Sequence, residues 1–499
     1  MRISPILIIH IGIFTYFCGK HISMKKPILF IVFTCVAFQL AFSTRLLVPS
    51  QYATIQSAIN AASQHDTVLV SPGTYFENIN FRGRGIVLAS TYILSHDTAM
   101  IDATIINGSQ PADPDSASCV IIASKVPSTF SDTSAMIIGF RITGGTGTKW
   151  NDEHNPGSVY REGGGILVQY LSPRILHNHI TYNQATDGSG GMASTGGGGI
   201  RCGDSNPLIA NNVIDNNQGK YGAGIVFNYC GGIIRNNLIA HNTGGQDYGG
   251  SGLWILGESS PATPRLAINN TIIYNYSTGP GGGIRAWSTT MTIKNNILWG
   301  NTASLGSQIF AATSSVTAIY NDIQGGFAGS GNINLNPEFD VMNYYLSGIS
   351  PCIDEGDSTA VYNDLSDPLN PSSALFPSKG TTRNDMGAYG GPGCSLFSSL
   401  STIFTGVQST IPVEEPQLTV NPNPVKDNSE VLFKYTGGEV FKTDVLDVNG
   451  LVVRRLKLNS PVPGEYRGMF SKDSLASGNY WLIISSDRKV LAKKSIAIY

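Results

Sequence analysis

Ile234-Arg235-Asn236-Asn237-Leu238-Ile239 is one of six copies of a single pattern: apolar, any residue, Asn (or His or Tyr), Asn, any residue, aliphatic. The others are Ile175-Leu176-His177-Asn178-His179-Ile180, Ile209-Ala210-Asn211-Asn212-Val213-Ile214, Ala267-Ile268-Asn269-Asn270-Thr271-Ile272, Ile293-Lys294-Asn295-Asn296-Ile297-Leu298 and Ala318-Ile319-Tyr320-Asn321-Asp322-Ile323. The second Asn recurs at 178, 212, 237, 270, 296 and 321, with gaps of 34, 25, 33, 26 and 25. A floor near 25 with occasional extra residues is the signature of a solenoid whose insertions become side loops. Stacking coils at about 4.8 Å sets equivalent side chains above one another, and an amide both donates and accepts. Asn178, Asn212, Asn237, Asn270, Asn296 and Asn321 are therefore expected to form a structural ladder. Asn183, Asn217, Asn242, Asn275 and Asn301 form a second column five residues on. Asn also tolerates the left-handed backbone that such corners need.

A Gly-rich motif precedes the Asn motif in each repeat: Gly163-Gly164-Gly165-Ile166, Gly197-Gly198-Gly199-Ile200, Gly222-Ala223-Gly224-Ile225, Gly250-Ser251-Gly252-Leu253 and Gly281-Gly282-Gly283-Ile284. Two positions beyond the aliphatic residue stand Val168, Cys202, Phe227, Ile255 and Ala286, all apolar. Between the two lie Leu167, Arg201, Val226, Trp254 and Arg285, a mixed column. Period-two alternation predicts a strand whose first and third columns point inward and whose middle column faces solvent. Before the repeats, Ile55, Ala58, Ile59 and Ala62 share a helical face, Asp66–Val70 reads as a strand and Ser71–Tyr75 as a turn. A helix and strand of this kind cap the open end of a solenoid.

The 499 residues carry 32 Lys plus Arg against 34 Asp plus Glu, a balance without the basic footprint of a nucleic-acid binder. Lys25 and Lys26 precede the apolar run Pro27–Leu40, and Ala41-Phe42-Ser43 supplies small residues, so 1–43 reads as a signal-peptide region with Met24 as its start. No transmembrane span is expected in the mature chain. Charged residues number 13 of 174 from Gly163 to Asn336 but 20 of 84 from Pro416 to Tyr499, which marks a change of domain. The organisation expected is 1–43 signal, 44–394 solenoid with its cap and closing segment, 395–415 linker and 416–499 a small β-sandwich. Alternating Val431-Leu432-Phe433, Val445-Leu446 and Tyr480–Ile484, with a hairpin turn at Asp447–Gly450, carries the last assignment.

The cap, the Gly-rich turns and the Asn-Asn-x-Ile coils resemble right-handed parallel β-helix proteins of the pectin-lyase-like superfamily. Ser350–Asp357 and Arg383–Gly390 resemble the closing segment of secreted members. Asn421-Pro422-Asn423-Pro424 and Leu475-Ala476-Ser477-Gly478-Asn479-Tyr480 are similar to the type IX secretion C-terminal sorting domain. The fold class implied is all-β: a right-handed single-stranded parallel β-helix followed by a small C-terminal β-sandwich. The tail resemblance implies the type IX secretion machinery as partner and a secreted or outer-membrane surface-attached product; the protein is expected to be a monomer.

The superfamily holds lyases, hydrolases, esterases and adhesins, so the resemblance does not choose an activity. The Asp-Phe-Ile-Phe-Gly segment of pectin methylesterases is absent, and so are the clustered Asp and Gly-His-Gly of polygalacturonases. The coils contain Asp187, Asp204, Asp215, Asp247, Glu258 and Asp322 without an adjacent pair. Asp204 near Arg201 is the nearest approach to a lyase site. No cofactor is expected, and no motif supports Ca2+ or another metal. No catalytic residue can be named; if the protein is an enzyme, it is a polysaccharide lyase or glycoside hydrolase acting on an acidic polysaccharide. His177, His179 and His241 read as turn residues. The ligand-binding candidates are Arg201, Trp254 and Arg285 with Asn228 and Trp287 on the same outward face. There Trp offers a flat surface to a pyranose and Arg a fork for a uronate or sulfate. The expected role is glycan binding or surface interaction across two or three sugar units, with groove walls from the 34- and 33-residue coils. Cys352 and Cys394 bracket one loop-rich segment and are candidates for a disulfide in an oxidising compartment.

Overall fold

The computed structural model describes residues 44–397 and 417–499, apart from 125–133, 153, 186–191, 258–262, 341–343, 436–440, 448–451, 463–464, 474 and 487–489. The signal region, most of the linker and the turn at Val448–Gly450 fall outside the described residues. The cap helix runs over Ile55–Ala61. Thr54 caps it through the Ser57 amide while Ser57 answers to the Thr54 amide, so two orphan donors are satisfied. Its face of Ile55, Ala58 and Ile59 is fully buried. Strand Arg45–Val48 pairs in parallel with Thr67–Val70 and starts the stack. The segment read as a turn, Ser71–Tyr75, is in part a strand: Gly73–Tyr75 pairs with Thr104–Ile106, because the first coil already needs its second sheet.

Among the described residues, three parallel sheets of ten, nine and eight strands line the solenoid, and a seven-stranded sheet flanks them. One coil shows the circuit. The chain passes from Ser194–Gly196 in the flanking sheet to Ile200–Gly203 in the eight-stranded sheet, then to Leu208–Ala210 in the ten-stranded sheet and Val213–Asp215 in the nine-stranded one. The next coil repeats it with Gln218–Tyr221, Ile225–Asn228, Gly232–Arg235 and Leu238–Ala240. Ile200, Ile225, Leu253 and Ile284 stand in register, as do Cys202, Phe227, Ile255 and Ala286. Both columns belong to one continuous apolar core. Each fully buried Ile, Leu or Phe in it contributes about 1.5–3 kcal/mol relative to exposure, which makes this core the main stabilising term. The fold is a parallel β-helix.

The Asn ladders form inside two corners. Asn178 Nδ2 donates to Asn212 Oδ1 at 3.1 Å, and the relay continues through Asn237, Asn270, Asn296 and Asn321 at 2.9–3.0 Å. The second ladder links Asn183, Asn217, Asn242, Asn275 and Asn301 at 2.9–3.1 Å. The left-handed position, however, belongs to the residue before each ladder Asn. His177, Asn211, Asn236, Asn269, Asn295 and Tyr320 have φ between 51° and 57°. That turn sends the second Asn inward, where its amide caps the corner carbonyls, while the first residue faces out.

The outward Asn residues hold the closing segment. Asn236 Nδ2 donates to the carbonyls of Ala388 and Gly390 at 3.1 and 2.7 Å. Asn269 Nδ2 reaches Asp385 O at 2.9 Å, and Asn295 Oδ1 accepts from the Asp357 amide at 2.9 Å. Lys294 Nζ pairs with Asp357 at 2.7 Å. Residues 357–390 thus form a strap across three successive coil corners. Cys352 and Cys394, candidates for a disulfide from sequence, are separate thiols there. Cys352 donates to Asp322 Oδ2 at 3.2 Å and Cys394 lies against Ser378 Oγ at 3.4 Å, so each has its own polar partner.

Among the described residues of the C-terminal region there are two four-stranded antiparallel sheets. Gln417–Asn421, Asn428–Lys434 and Glu465–Ser471 pair in one, and Phe441–Leu446, Gly478–Ser486 and Val490–Ile498 in the other. Val431, Phe433, Val445, Phe470, Leu482, Ile484 and Ile496 fill the space between them.

Candidate functional site

The middle column of the eight-stranded sheet points away from the core, as its alternation requires, but it is not solvated. Arg201, Trp254 and Arg285 are 4%, 3% and 7% exposed. The flanking sheet folds over them, and that cover is what the repeat pattern alone did not contain. The candidates remain together. Arg201, Asn228, Trp254 and Trp287 line a cavity of about 180 Å³, joined by Asp152, Tyr160, Glu162, Tyr221, Tyr248 and Leu256.

Glu162 organises its floor. Its Oε2 pairs with Arg201 Nε at 2.7 Å, both side chains almost fully buried. The Tyr221 hydroxyl donates to Glu162 Oε1, and Asn228 Nδ2 approaches the same oxygen at 3.5 Å. Burial, then the adjacent Glu162 charge, push the Tyr221 phenol well above its ordinary range, so it stays protonated and donates. Asn228 Oδ1 in turn accepts from Trp254 Nε1 at 3.1 Å, which fixes the indole. Glu162 therefore has both oxygens committed.

The aromatic lining is built edge to face. Tyr221 meets Trp254 at 5.6 Å and Tyr248 at 5.7 Å, and Trp254 meets Trp287 at 5.8 Å. Arg285 lies behind these rings, 5.5 Å from the Trp254 centroid, 4.9 Å from Trp287 and 5.0 Å from Phe310. Its Nε and Nη1 are buried and have no hydrogen-bond partner among the described residues. Burial lowers its pKa from the ordinary guanidinium value, and three ring faces are what stabilise the charge.

Asp152, Tyr160, Glu162, Tyr248 and Leu256 joined the site only in the structure. Glu162 and Tyr160 belong to a hairpin of Gly147–Asn151 and Val159–Glu162, upstream of the first Gly-rich motif. Tyr248 comes from the long strand Thr243–Gly249, an insertion of the 33-residue coil, so that coil does supply a wall. One signal pointed to a further residue, Tyr221. Immediately before the Gly-rich motifs stand Glu162, Gly196, Tyr221 and Gly249, which prove to be register partners. A Cβ at Gly196 would lie 2.3 Å from the Tyr221 ring, so that glycine gives the tyrosine its path to Glu162.

The fragment of a lyase site imagined at Asp204 and Arg201 does not assemble. Asp204 accepts from Gln169 at 2.9 Å and pairs with His154 at 2.8 Å, leaving Arg201 to Glu162. The coil histidines are corner or packing groups. His177 bonds the Tyr92 hydroxyl at 2.9 Å, and burial followed by the nearby His96 lowers its pKa to about 4. His179 lies between Asp102 at 2.9 Å and Asp215 at 3.2 Å. Burial alone would lower its pKa, but the two carboxylates outweigh it and raise the value to about 9. This contribution to stability is full below the unfolded value near 6.5 and is lost as pH rises through about 9, about 3 kcal/mol in all. Urea midpoints of wild type and His179→Gln should accordingly differ most at about pH 6.5 and converge by about pH 10. A gap that widens with pH would contradict the assignment.

Residues 419–498 match the model of the secretion system C-terminal sorting domain, the segment that forms the antiparallel sandwich. A tail of this type IX class marks the protein for export to the cell surface or the extracellular space, with the secretion machinery as partner. Among the described residues, no helix is long and apolar enough to cross a membrane. The solved structures similar to the chain include two pectin methylesterases. One is a rice weevil pectin methyl esterase, 14% identical over 55% of this chain and 89% of that one, TM-score 0.23. The other is a pectin methylesterase in complex with a hexasaccharide, 11% identical over 60% and 96%, TM-score 0.25. At those scores neither carries an argument about activity, and the β-helix rests on the strand register above. Comparison with curated proteins gives no match.

Proposed function

We propose that this exported β-helix protein binds a sugar in the cleft between Trp287, Tyr248 and the Glu162–Arg201 floor, without catalysing a reaction there. The observation that carries the reading is the pairing of aromatic walls with a buried, internally satisfied polar floor. Rings supply flat apolar surface to the C–H face of a pyranose, while Asn228 and Asp152 supply hydrogen-bonding edges for its hydroxyls. Glycoside hydrolysis needs a carboxylic acid and a carboxylate at liberty to act. Glu162 is engaged by Arg201 and Tyr221, which disfavours the lyase or hydrolase alternative. A cationic ligand is disfavoured too, since Arg285 already occupies faces of Trp254 and Trp287.

Screening the purified mature protein against a glycan array tests this. Trp287→Ala and Tyr248→Ala, both at half-buried positions, are each expected to weaken binding about tenfold, the worth of one ring contact of about 1.4 kcal/mol. Undiminished binding in both variants would place the site elsewhere.

A further inference from the structure

The hairpin over the cleft constrains what can enter it. Its strands pair from Thr148 with Glu162 to Asn151 with Val159, at the flanking-sheet edge of the solenoid. Its tip nevertheless reaches the opposite end of the eight-stranded sheet. His154 Nε2 meets Asp204 Oδ1 at 2.8 Å, and the imidazole stacks on Tyr229 at 3.5 Å with an interplanar angle of 16°. Asp204 and Tyr229 directly follow the strands Ile200–Gly203 and Ile225–Asn228, so the tip crosses a strand width of about 13 Å at 3.3 Å per residue.

The crossing is fastened at three places. Trp150 packs over the Arg201 guanidinium at 6.0 Å. The base is held by Arg161, which donates to Gly147 O at 2.9 Å and pairs with Asp115 at 3.0 Å. At the tip, Asp152 Oδ1 accepts from the His154 amide at 2.9 Å, so the residue that lines the cleft and the residue that latches the tip share one turn. The floor residues Glu162, Arg201 and Tyr221 are buried, whereas the lining residues Trp287 and Tyr248 toward the later coils, and Asp152 and Tyr160 on the hairpin, are half-buried. What closes one end of the cleft is the hairpin crossing at Trp150 and His154, which leaves the side toward Trp287 as the way in.

Resting on the sugar-binding reading, we propose that the cleft is blind-ended and takes the terminal residue of a glycan chain, not an internal stretch. A chain laid along the solenoid would run into Trp150 and the His154–Asp204 latch. The enclosed part of the cleft is small, about 180 Å³, in place of the open sheet face from which two or three sugar units were expected. The ligand class is therefore glycan ends and free small sugars.

The test uses the full mature chain and a set of unbranched neutral glycans (pullulan, amylose, linear β-1,4-galactan and linear β-1,4-mannan), each intact and after partial acid cleavage to about a tenth of its length. At equal mass, cleaved preparations present about ten times more chain ends. Binding capacity is expected to rise in proportion to ends, and the monosaccharide of a responsive glycan should compete fully. Capacity that stays constant or falls on cleavage would overturn end recognition while leaving sugar binding intact. No binding to any preparation or monosaccharide would overturn both. His154→Ala, which releases the tip without touching the floor, should raise the capacity for intact polymer; an unchanged ratio of intact to cleaved binding would count against the latch as the barrier.

Discussion

Asn237→Ala is expected to lower the unfolding free energy by about 2–5 kcal/mol, and Asn237→Asp by more. Asn237 Oδ1 accepts from both the amide and Nδ2 of Asn212, each at 3.0 Å. Its own Nδ2 donates to Ile209 O and Arg235 O at 2.9 Å and to Asn270 Oδ1 at 3.0 Å. Alanine leaves the buried Asn212 amide without an acceptor, at about 1–3 kcal/mol per orphaned group, and interrupts the ladder on both sides. Aspartate is worse because it turns an oxygen toward three acceptors that previously received a hydrogen. Asn236→Gly, one residue away, keeps the left-handed corner and loses two strap contacts, so about 1–2 kcal/mol is expected there. Urea unfolding of the three variants gives the order; an Asn237→Ala cost below about 1 kcal/mol would show that the ladder is ornament, not support.

The second large effect concerns the floor of the cleft. Glu162→Leu leaves the Arg201 guanidinium buried without its anion, and about 3–5 kcal/mol is expected to be lost. Arg201→Leu should cost a similar amount by stranding Glu162 against the Tyr221 hydroxyl. The double variant, with both charges gone, should be more stable than the sum of the single costs predicts, by about 2 kcal/mol or more. Additive costs in a double-mutant cycle would mean that the two side chains are not an energetic pair. Sugar binding is expected to fall in all three, since Asn228 and Trp254 are positioned through the same network.

Both predictions bear on what could be read before the structure. The ladder was legible because a parallel β-helix is a stack of near-identical coils. Each residue meets its own counterpart one coil away, so phase in the sequence becomes contact in space. Arg201, Trp254 and Arg285 were found by the same logic, as one outward column. Their burial was not legible, because the cover comes from segments outside the repeat: the hairpin carrying Trp150 and Tyr160, and the extended strand that ends beside Tyr248. Insertions have no counterpart in the next coil, and hence no phase from which to infer where they fold. The left-handed corner was assigned one residue late for a related reason. His, Tyr and Asn alternate at that position, and only backbone angles reveal the conformation they share.

By itself, then, the sequence determined the solenoid, its inward columns, its two amide ladders and the secretion tail, because each is a periodic or contiguous pattern that short-range stacking converts directly into structure. The tertiary structure alone decided that Arg201 belongs to Glu162 and not to Asp204, that among the described residues Arg285 is held by rings and not by an anion, and that the outward face is covered to form a cleft. The Glu162–Arg201 and His154–Asp204 pairings join residues 39 and 50 positions apart, with one partner in a hairpin outside the repeat, so where the chain folds back chooses them and no local period encodes it. The ring partners of Arg285 are its column neighbours, and only their closeness was left to the tertiary structure.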